Sequence, residues 1–397
     1  MEHVTVMHLI ESEGVYGAEW VLLNLSEQMK KNSAFKPVIG CIVQSPLEKS
    51  DLFDRACEMG IESEKLVIRN GRVHTDMPAA AKRLREKRID IIHSHGYKPS
   101  IYGYVFRKMT GISVMATCHL WFRDGRPFKY HVMTAIEMFL YRFFPVVVSV
   151  SEPIKNQLIS KGVPEERIRV IGNGIFVEKY TEGGAAKRKS VRKALGVKPG
   201  EFVVTTVGRL NVQKNQAVII EAADLLQKTG KKYRFFIVGE GELRFDLERQ
   251  IEEKNLSARV HLPGFRKDID GLLHASDAFI LTSRDEGLPM SFLEAVASGT
   301  PIITTAVGNI PQIISHGKTG FIIRGDDPEH TARMIEYVCQ HESEAQGVAR
   351  AAYDVVKQKY STEAMFKEYE SVYRHILASS SNASGVLKKR GSLNGVE

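Results

Sequence analysis

The sequence is poor in cysteine and has no apolar run long enough to cross a bilayer. Its four cysteines, Cys41, Cys57, Cys118 and Cys339, share no CxxC spacing, so neither a thiolate metal site nor a disulfide framework is expected. No segment approaches the roughly 20 apolar residues of a membrane-spanning helix. The opening MEHVTVMHLIESEG has no basic leader, long apolar stretch or small-residue cleavage site; it reads as a first β-strand, which makes the cytoplasm the expected location. A complete G-x-G-x-x-G is also missing, which argues against a dinucleotide site. No RNA- or DNA-binding module is recognisable, so a nucleic-acid partner is not expected.

What is present describes a globular chain. Its 397 residues are 43% hydrophobic and 26% charged, enough for two domains of similar size, and two domains imply a cleft. The net charge of +8 is concentrated in the first half: Lys82, Arg83, Arg85, Lys87, Arg88, Lys98, Arg107, Lys108, Arg123, Arg126 and Lys129 face only Glu86, Asp90 and Asp124 in the same stretch. Such a region attracts anionic surfaces or substrates without choosing among them.

Short β-branched runs alternate with amphipathic stretches. VTVMHLI, KPVIGCIV, IDIIHSH, VMATCHL and VVVSVS fall in the first half, and FVVTTV, RFFIVGEG, VHLPGF, AFILTS, PIITTA and FIIRG in the second. Nearly continuous apolar strands mean burial on both faces, hence parallel sheets covered by helices. The reading is α/β, two doubly wound units, with residues 1–178 forming the first domain and 179–360 the second. The connection is placed in residues 171–200, which hold several glycines and the basic run KRKSVRK. A helical stretch follows Asp326 as far as about Ala378, and residues 379–397, small, polar and basic, are expected to be disordered.

The chemistry concentrates at strand ends. Glu286-Gly287-Leu288-Pro289-Met290 follows AFILTS and leads through Glu294 to Gly299-Thr300-Pro301. This is a strand, a glycine turn and a short helix, with Pro289 suited to the first helical turn and Gly299 to the stop. Free N–H groups at such a turn point at one spot beyond the carboxyl edge of the sheet. Glu286 sits in the loop, and Glu294, inside the helix, is placed to accept hydrogen bonds from vicinal hydroxyls. After FVVTTV, Gly208 admits close backbone approach while Arg209 and Lys214 supply fixed positive charge, suited to the charge that builds on a departing diphosphate. Val238-Gly239-Glu240-Gly241 closes another strand and reads as a weaker base- or ribose-side loop. In the first half, Gly14 and Gly17 join the first strand to its helix, and His93, His95 and His119 end two strands. The HxH pair has no accompanying cysteine or carboxylate cluster at ligand spacing, so no metal is expected.

Taken together, E-x7-E, GRL-x3-KN, VGEG, GNGI at residues 172–175 and SEPIKNQL at 151–158 resemble glycosyltransferase family four, group 1, over roughly residues 1–375. The resemblance implies a GT-B fold: two Rossmann-like domains facing across a cleft, the first on the acceptor side, the second binding nucleotide sugar, with the last helix (361–378) crossing back to the first. It implies a retaining, metal-independent transfer from a nucleotide diphosphate sugar, with a UDP-sugar favoured, to a glycan or lipid-linked acceptor in cell-surface polysaccharide biosynthesis. Glu294 would then bind the donor ribose, and Glu286 with the backbone of Gly287, Leu288, Pro289 and Met290 the donor sugar. Arg209 and Lys214 would clamp the diphosphate, Gly208, Gly239 and Glu240 would line the donor site, and Gly17 would lie near its phosphates. His119 is similar to the family's active-site histidine, and His95, Trp121 and Arg123 are acceptor-side candidates. Two departures stand out: Val15-Tyr16-Gly17 replaces the family's frequent paired glycines, and Asn309 and Gln312 stand where Gly and Glu are frequent. A sugar-nucleotide epimerase of the same fold, or a transferase that only binds its donor, remains an alternative at this point.

The stretch LWFRDGRPFKY at residues 120–130 mixes aromatics with cations. It suggests peripheral association with the inner face of an anionic plasma membrane, although Trp121, Phe122 and Phe128 are equally suited to a core.

Overall fold

The structure, a computed structural model, describes residues 3–12, 14–119 and 128–391. The chain divides into two compact units, Met1–Gly174 with Thr362–Glu397, and Ile175–Ser361.

In the first unit, strands β1 (Val4–Ile10), β2 (Phe35–Val43), β3 (Glu62–Val67), β4 (Ile91–His95), β5 (Ser113–Cys118), β6 (Val146–Ser149) and β7 (Ile168–Val170) alternate with helices α1 (Gly17–Lys30), α2 (Asp51–Glu58), α3 (Val73–Glu86), α4 (Tyr97–Thr110), α5 (Phe128–Tyr141) and α6 (Glu152–Ser160). The strands form one parallel sheet ordered β3-β2-β1-β4-β5-β6-β7. The order reverses between β1 and β4, where helices α1 and α4 leave to opposite faces of the sheet. One face packs Met7, Leu9, Ile92, Val114 and Ala116 into the main core, and the other places Ile10, Ile39 and Cys41 under α1.

The second unit begins with α7 (Gly184–Ala194) and continues through β8 (Phe202–Val207), α8 (Ala217–Leu226), β9 (Tyr233–Val238), α9 (Arg244–Glu253), β10 (Val260–Gly264), α10 (Ile269–Ala275), β11 (Ala278–Leu281), α11 (Met290–Ala297), β12 (Ile302–Thr305), β13 (Phe321–Ile323), α12 (Pro328–Gln340) and α13 (Glu342–Lys359). Its parallel sheet is ordered β10-β9-β8-β11-β12-β13, with the reversal between β8 and β11. The last helix, α14 (Thr362–Gly391), returns to the first unit and packs on α1 and β5.

The doubly wound reading holds in both units, with four corrections. Strands β3 and β7 were not expected; both are edge strands, where ESEKLV and IRV need not be apolar on both faces. The change of unit falls at Ile175, because Ile175 pairs with Ser361 and its N–H donates to the Tyr360 carbonyl (2.9 Å). Most of the proposed connection is therefore folded: the basic run lies on α7, which packs on α10. Arg188 and Arg192 clamp Asp277, whose carboxylate also accepts the Val203 N–H at 2.7 Å. Finally, α14 continues through much of the segment expected to be disordered, as far as Gly391; once a helix is nucleated, each further residue adds a hydrogen bond without a new nucleus. Among the described residues no helix is long and apolar enough to cross a membrane.

Candidate active site

At the reversal in the second sheet, the loop after β8 and the loop after β11 are tied into one surface. Thr282 Oγ1 donates to the Lys214 and Asn215 carbonyls at 3.1 and 3.0 Å. The Arg284 N–H donates to the Gln213 carbonyl at 2.8 Å, and Gln213 Nε2 donates to the Asp285 carbonyl at 2.8 Å. Asn215 takes a left-handed backbone (φ 54°), and its amide donates to Asp326, which also pairs with Arg284 at 2.8 Å.

These bonds hold two opposite charges together. Lys214 Nζ lies 2.5 Å from Glu286 Oε1, which also accepts from Ser283 Oγ at 2.7 Å. The side chains are only 15% and 7% exposed, so the pair stands largely outside water, where each charge depends on the other. Close backbone packing frames it. A Cβ on Gly308 (φ 57°) would lie 2.1 Å from the Glu286 carbonyl oxygen, and one on Gly239 would lie 2.0 Å from that of Gly208. Only glycine fits at either point. The Asn309 N–H donates to the Gly287 carbonyl at 2.8 Å, so the departure at Asn309 leaves this loop contact intact.

Pro289 is the N-cap of α11 rather than a first-turn residue, and Gly287, Leu288 and Met290 are buried beside Glu286. Glu294, one turn into α11, is half-buried, and its Oε1 accepts the Tyr180 hydroxyl at 2.9 Å. Burial raises its pKa, and burial together with the Glu294 charge raises that of Tyr180. Glu294 is thus already in contact with a hydroxyl donor, the group it was expected to receive. Arg209 is exposed at the end of β8, its carbonyl accepting from Gln216 Nε2 at 2.9 Å. Glu240 is exposed and paired with Arg244 at 2.9 Å, while its carbonyl accepts the Leu210 N–H at 2.9 Å, so the β9 loop joins the same edge through its backbone.

In the first unit, Gly17 is exposed at the start of α1, and an added Cβ there would meet nothing within 4 Å. The sheet reversal between β1 and β4 carries histidines instead of an ion pair. The register sets His8 beside His93 and Ile10 beside His95, so His8, His93 and His95 share one face. His8 Nδ1 is 3.1 Å from His95 Nε2, and His95 Nδ1 is 3.3 Å from His119 Nε2. His93 bonds the Tyr373 hydroxyl of α14 at 2.9 Å and Thr117 Oγ1 at 2.7 Å. His95, an acceptor-side candidate from the sequence, is buried behind His119 with both ring nitrogens engaged. Trp121 and Arg123 lie outside the described residues.

Burial lowers the pKa of His8 to about 3 and of His119 to about 4; it drives His93 and His95 well below the usual histidine range, with neighbouring histidines adding to the effect. Nitrogens of His8, His93 and His95 lie within 4.8 Å of one another, the spacing of a metal triad. Those of His93, however, face Tyr373 and Thr117, while His8 and His95 face each other, so the arrangement fits hydrogen bonding better than ligation. His8, Tyr180, Ser283, Tyr369 and Tyr373 were not anticipated. The signal for His8 was a histidine inside an otherwise apolar strand.

Two family models match in succession: Glycosyltransferase Family 4 over residues 15–179 and Glycosyl transferases group 1 over residues 187–355. The chain belongs to the group 1, family four glycosyltransferases. It is 32% identical over 253 residues to an Escherichia coli UDP-Gal:alpha-D-GlcNAc-diphosphoundecaprenol alpha-1,3-galactosyltransferase, covering 62% of this chain and 65% of that protein. It is 29% identical to a putative colanic acid biosynthesis glycosyltransferase of Salmonella typhimurium, covering 60% and 58%. The match thus spans less than two thirds of either relative's length. Among solved structures, the Anabaena protein HepE in complex with UDP-glucose superposes with a TM-score of 0.83 at 19% identity, covering 94% of this chain and all of that one. The sucrose-phosphate synthase of Thermosynechococcus elongatus does so at 0.76 and 17%, covering 95% and 100%. Both show the GT-B fold shared by the family.

Two outcomes follow from the buried charges and rings. Lys214→Ala strands the Glu286 carboxylate and is expected to lower stability by roughly 3–5 kcal/mol in urea unfolding followed by circular dichroism, while Lys214→Met with Glu286→Gln recovers most of the loss. The lowered histidine pKa values predict stability that is present above the unfolded value of about 6.5 and is lost as pH falls towards the folded values. The first unit should therefore lose stability as pH falls from 7 to 5.5, with His8, His93, His95 and His119 all contributing in the same direction. Tryptophan fluorescence reads this, because Trp20 lies on α1 of that unit.

Proposed function

We propose that the chain is a retaining hexosyltransferase that takes a sugar from a nucleotide diphosphate, UDP being favoured, and adds it to a glycan or lipid-linked acceptor in cell-surface or exopolysaccharide synthesis. The observation that carries this reading is the buried Lys214–Glu286 pair at the reversal of the second sheet, beside the start of α11. In the pair, each charge neutralises the other. A donor whose β-phosphate takes Lys214 leaves Glu286 to accept a sugar hydroxyl, and it keeps both groups paired during the exchange. Arg209, on the same loop, adds a second cation.

Breaking the anomeric bond moves negative charge onto the leaving diphosphate. Cations fixed beforehand in a site of low dielectric stabilise that charge more than they stabilise the ground state. In this reading they do the work of a divalent metal, and no cofactor is required. Glu294 binds the ribose hydroxyls, displacing the Tyr180 hydroxyl, and His119 takes the part of the family's active-site histidine. The front-face, configuration-retaining course rests on family resemblance. The Escherichia coli and Salmonella relatives support an acceptor on the path to a surface polysaccharide, as does an amylovoran biosynthesis glycosyltransferase of Erwinia amylovora.

Membrane association has support on α5 and the turn after it. Val132, Ile136, Phe139 and Phe143, spaced along one helical face, are between 41% and 54% exposed. Arg142 lies over Phe139, Lys108 over Tyr104, and Arg107 donates to the Phe143 carbonyl at 2.7 Å. Helix α4 has no acidic residue, and the one on α5, Glu137, is buried against Ser100 and Tyr141. An apolar stripe flanked by cations suits the interface of an anionic bilayer on the cytoplasmic side.

A thermal-shift and hydrolysis screen against UDP-, GDP- and ADP-sugars, with and without EDTA, tests the donor site. The expected result is a chelator-insensitive shift and slow hydrolysis with one sugar nucleotide, at least tenfold weaker in Glu294→Ala. No response to any of them contradicts the reading, and conversion of the sugar without acceptor favours an epimerase. Separately, the chain should sediment with vesicles containing anionic phosphatidylglycerol at low salt. Ile136→Ser with Phe139→Ser should sediment several-fold less, and indifference of the unmodified chain to such vesicles rules the membrane role out.

A further inference from the structure

His8, His95 and His119 form a single file on one sheet face, and the far end of the file is a sulfur. His8 Nε2 lies 3.5 Å from Met29 Sδ of α1, His8 Nδ1 3.1 Å from His95 Nε2, and His95 Nδ1 3.3 Å from His119 Nε2. His8 and Met29 are fully buried, and His95 is 5% exposed.

A neutral imidazole carries one N–H and one bare nitrogen. Each contact between two rings needs one proton and has room for only one. The choice made at any contact therefore propagates through the whole file. A thioether has no proton to give and accepts only weakly. If His8 turned its bare nitrogen to Met29, two lone pairs would meet in a dry interior with no hydrogen between them. The favoured order therefore has His8 Nε2–H donating to Met29 Sδ, His95 Nε2–H to His8 Nδ1, and His119 Nε2–H to His95 Nδ1.

We propose that Met29, acting through His8 and His95, locks His119 in the tautomer whose Nδ1 is bare and accepts hydrogen bonds. The residues behind His119 are positioning residues. They fix which face of the imidazole donates and which accepts, much as the outer partners of a metal-bound histidine fix its tautomer. Burial keeps every ring in the file uncharged, so the order holds across the physiological range. His93 stands outside the file. Its neighbours, the Tyr373 hydroxyl and Thr117 Oγ1, the latter 3.0 Å from the Tyr369 hydroxyl, either donate or accept and impose no order.

Because the sulfur cannot take up a proton, the file is closed at that end and conducts none. It sets a hydrogen-bond direction rather than relaying protons. Resting on the reading above, in which His119 is an active-site histidine, the consequence is that its free ring face accepts a hydrogen bond from a substrate hydroxyl and does not donate one.

Long-range 1H–15N correlation spectra of the full chain labelled at histidine distinguish a protonated from a bare ring nitrogen, with His119 assigned through His119→Gln. The expected result is a bare Nδ1 in the unmodified protein. Met29→Leu, close in volume, removes the acceptor, so a measurable fraction of His119 should then carry its proton on Nδ1. In that variant kcat should fall by the same factor as the bare-Nδ1 population, with KM for the donor little changed. A protonated Nδ1 in the unmodified protein overturns the proposal without any variant, and an unchanged tautomer in folded Met29→Leu overturns the role of Met29. The spectra need neither donor nor turnover, so the tautomer of His119 is decided even if the transferase reading fails, and the transferase reading is decided even if the tautomer differs.

Discussion

Taking Lys214 and Glu286 out of water together is tolerable only while they stay paired, and the surrounding loops are arranged to keep them so. The β8 loop is held by Thr282 and Gln213, the β11 loop by Ser283 and the Asn309 amide, and Gly308 lets the β12 loop lie against the Glu286 carbonyl. A buried ion pair is weak evidence for stability, since apolar residues of the same volume often do as well. Its presence at a sheet reversal fits the proposed donor site, in which a ligand would take over one of the two charges.

The first unit uses the equivalent place in its sheet differently. Its reversal holds neutral rings, each hydrogen-bonded to another ring, a hydroxyl or a thioether, and α14 closes over them with Tyr369 and Tyr373. One sheet edge therefore presents fixed charge and the other a fixed hydrogen-bond direction. Both rely on the same topology, because a parallel sheet with reversing order leaves its strand ends open at one point.

Much of this was legible in the residues. Among the described residues, eleven of the thirteen strands fall within apolar runs of the sequence, since most of them are buried on both faces. The two that escaped, β3 and β7, are edges, where one side of the strand needs no neighbour. The basic segment on α7 looked like a linker because its arginines have no local partner; Asp277, which they clamp, lies more than eighty residues away. Glu286, Glu294, Arg209 and Lys214 were visible as strand-end chemistry, and the structure adds that Lys214 and Glu286 touch. His8, Met29 and Tyr373 were not visible as site residues, because their relation to His95 and His93 exists only through strand register and helix return.

The account depends on a nucleotide binding at the reversal between β8 and β11. Hydrogen exchange measured by mass spectrometry, with and without saturating UDP, tests this most directly. The prediction is slowed exchange concentrated in residues 208–216 and 282–294, with the β1 and β4 strands unchanged. Protection confined to other segments, or none at any UDP concentration, would contradict it.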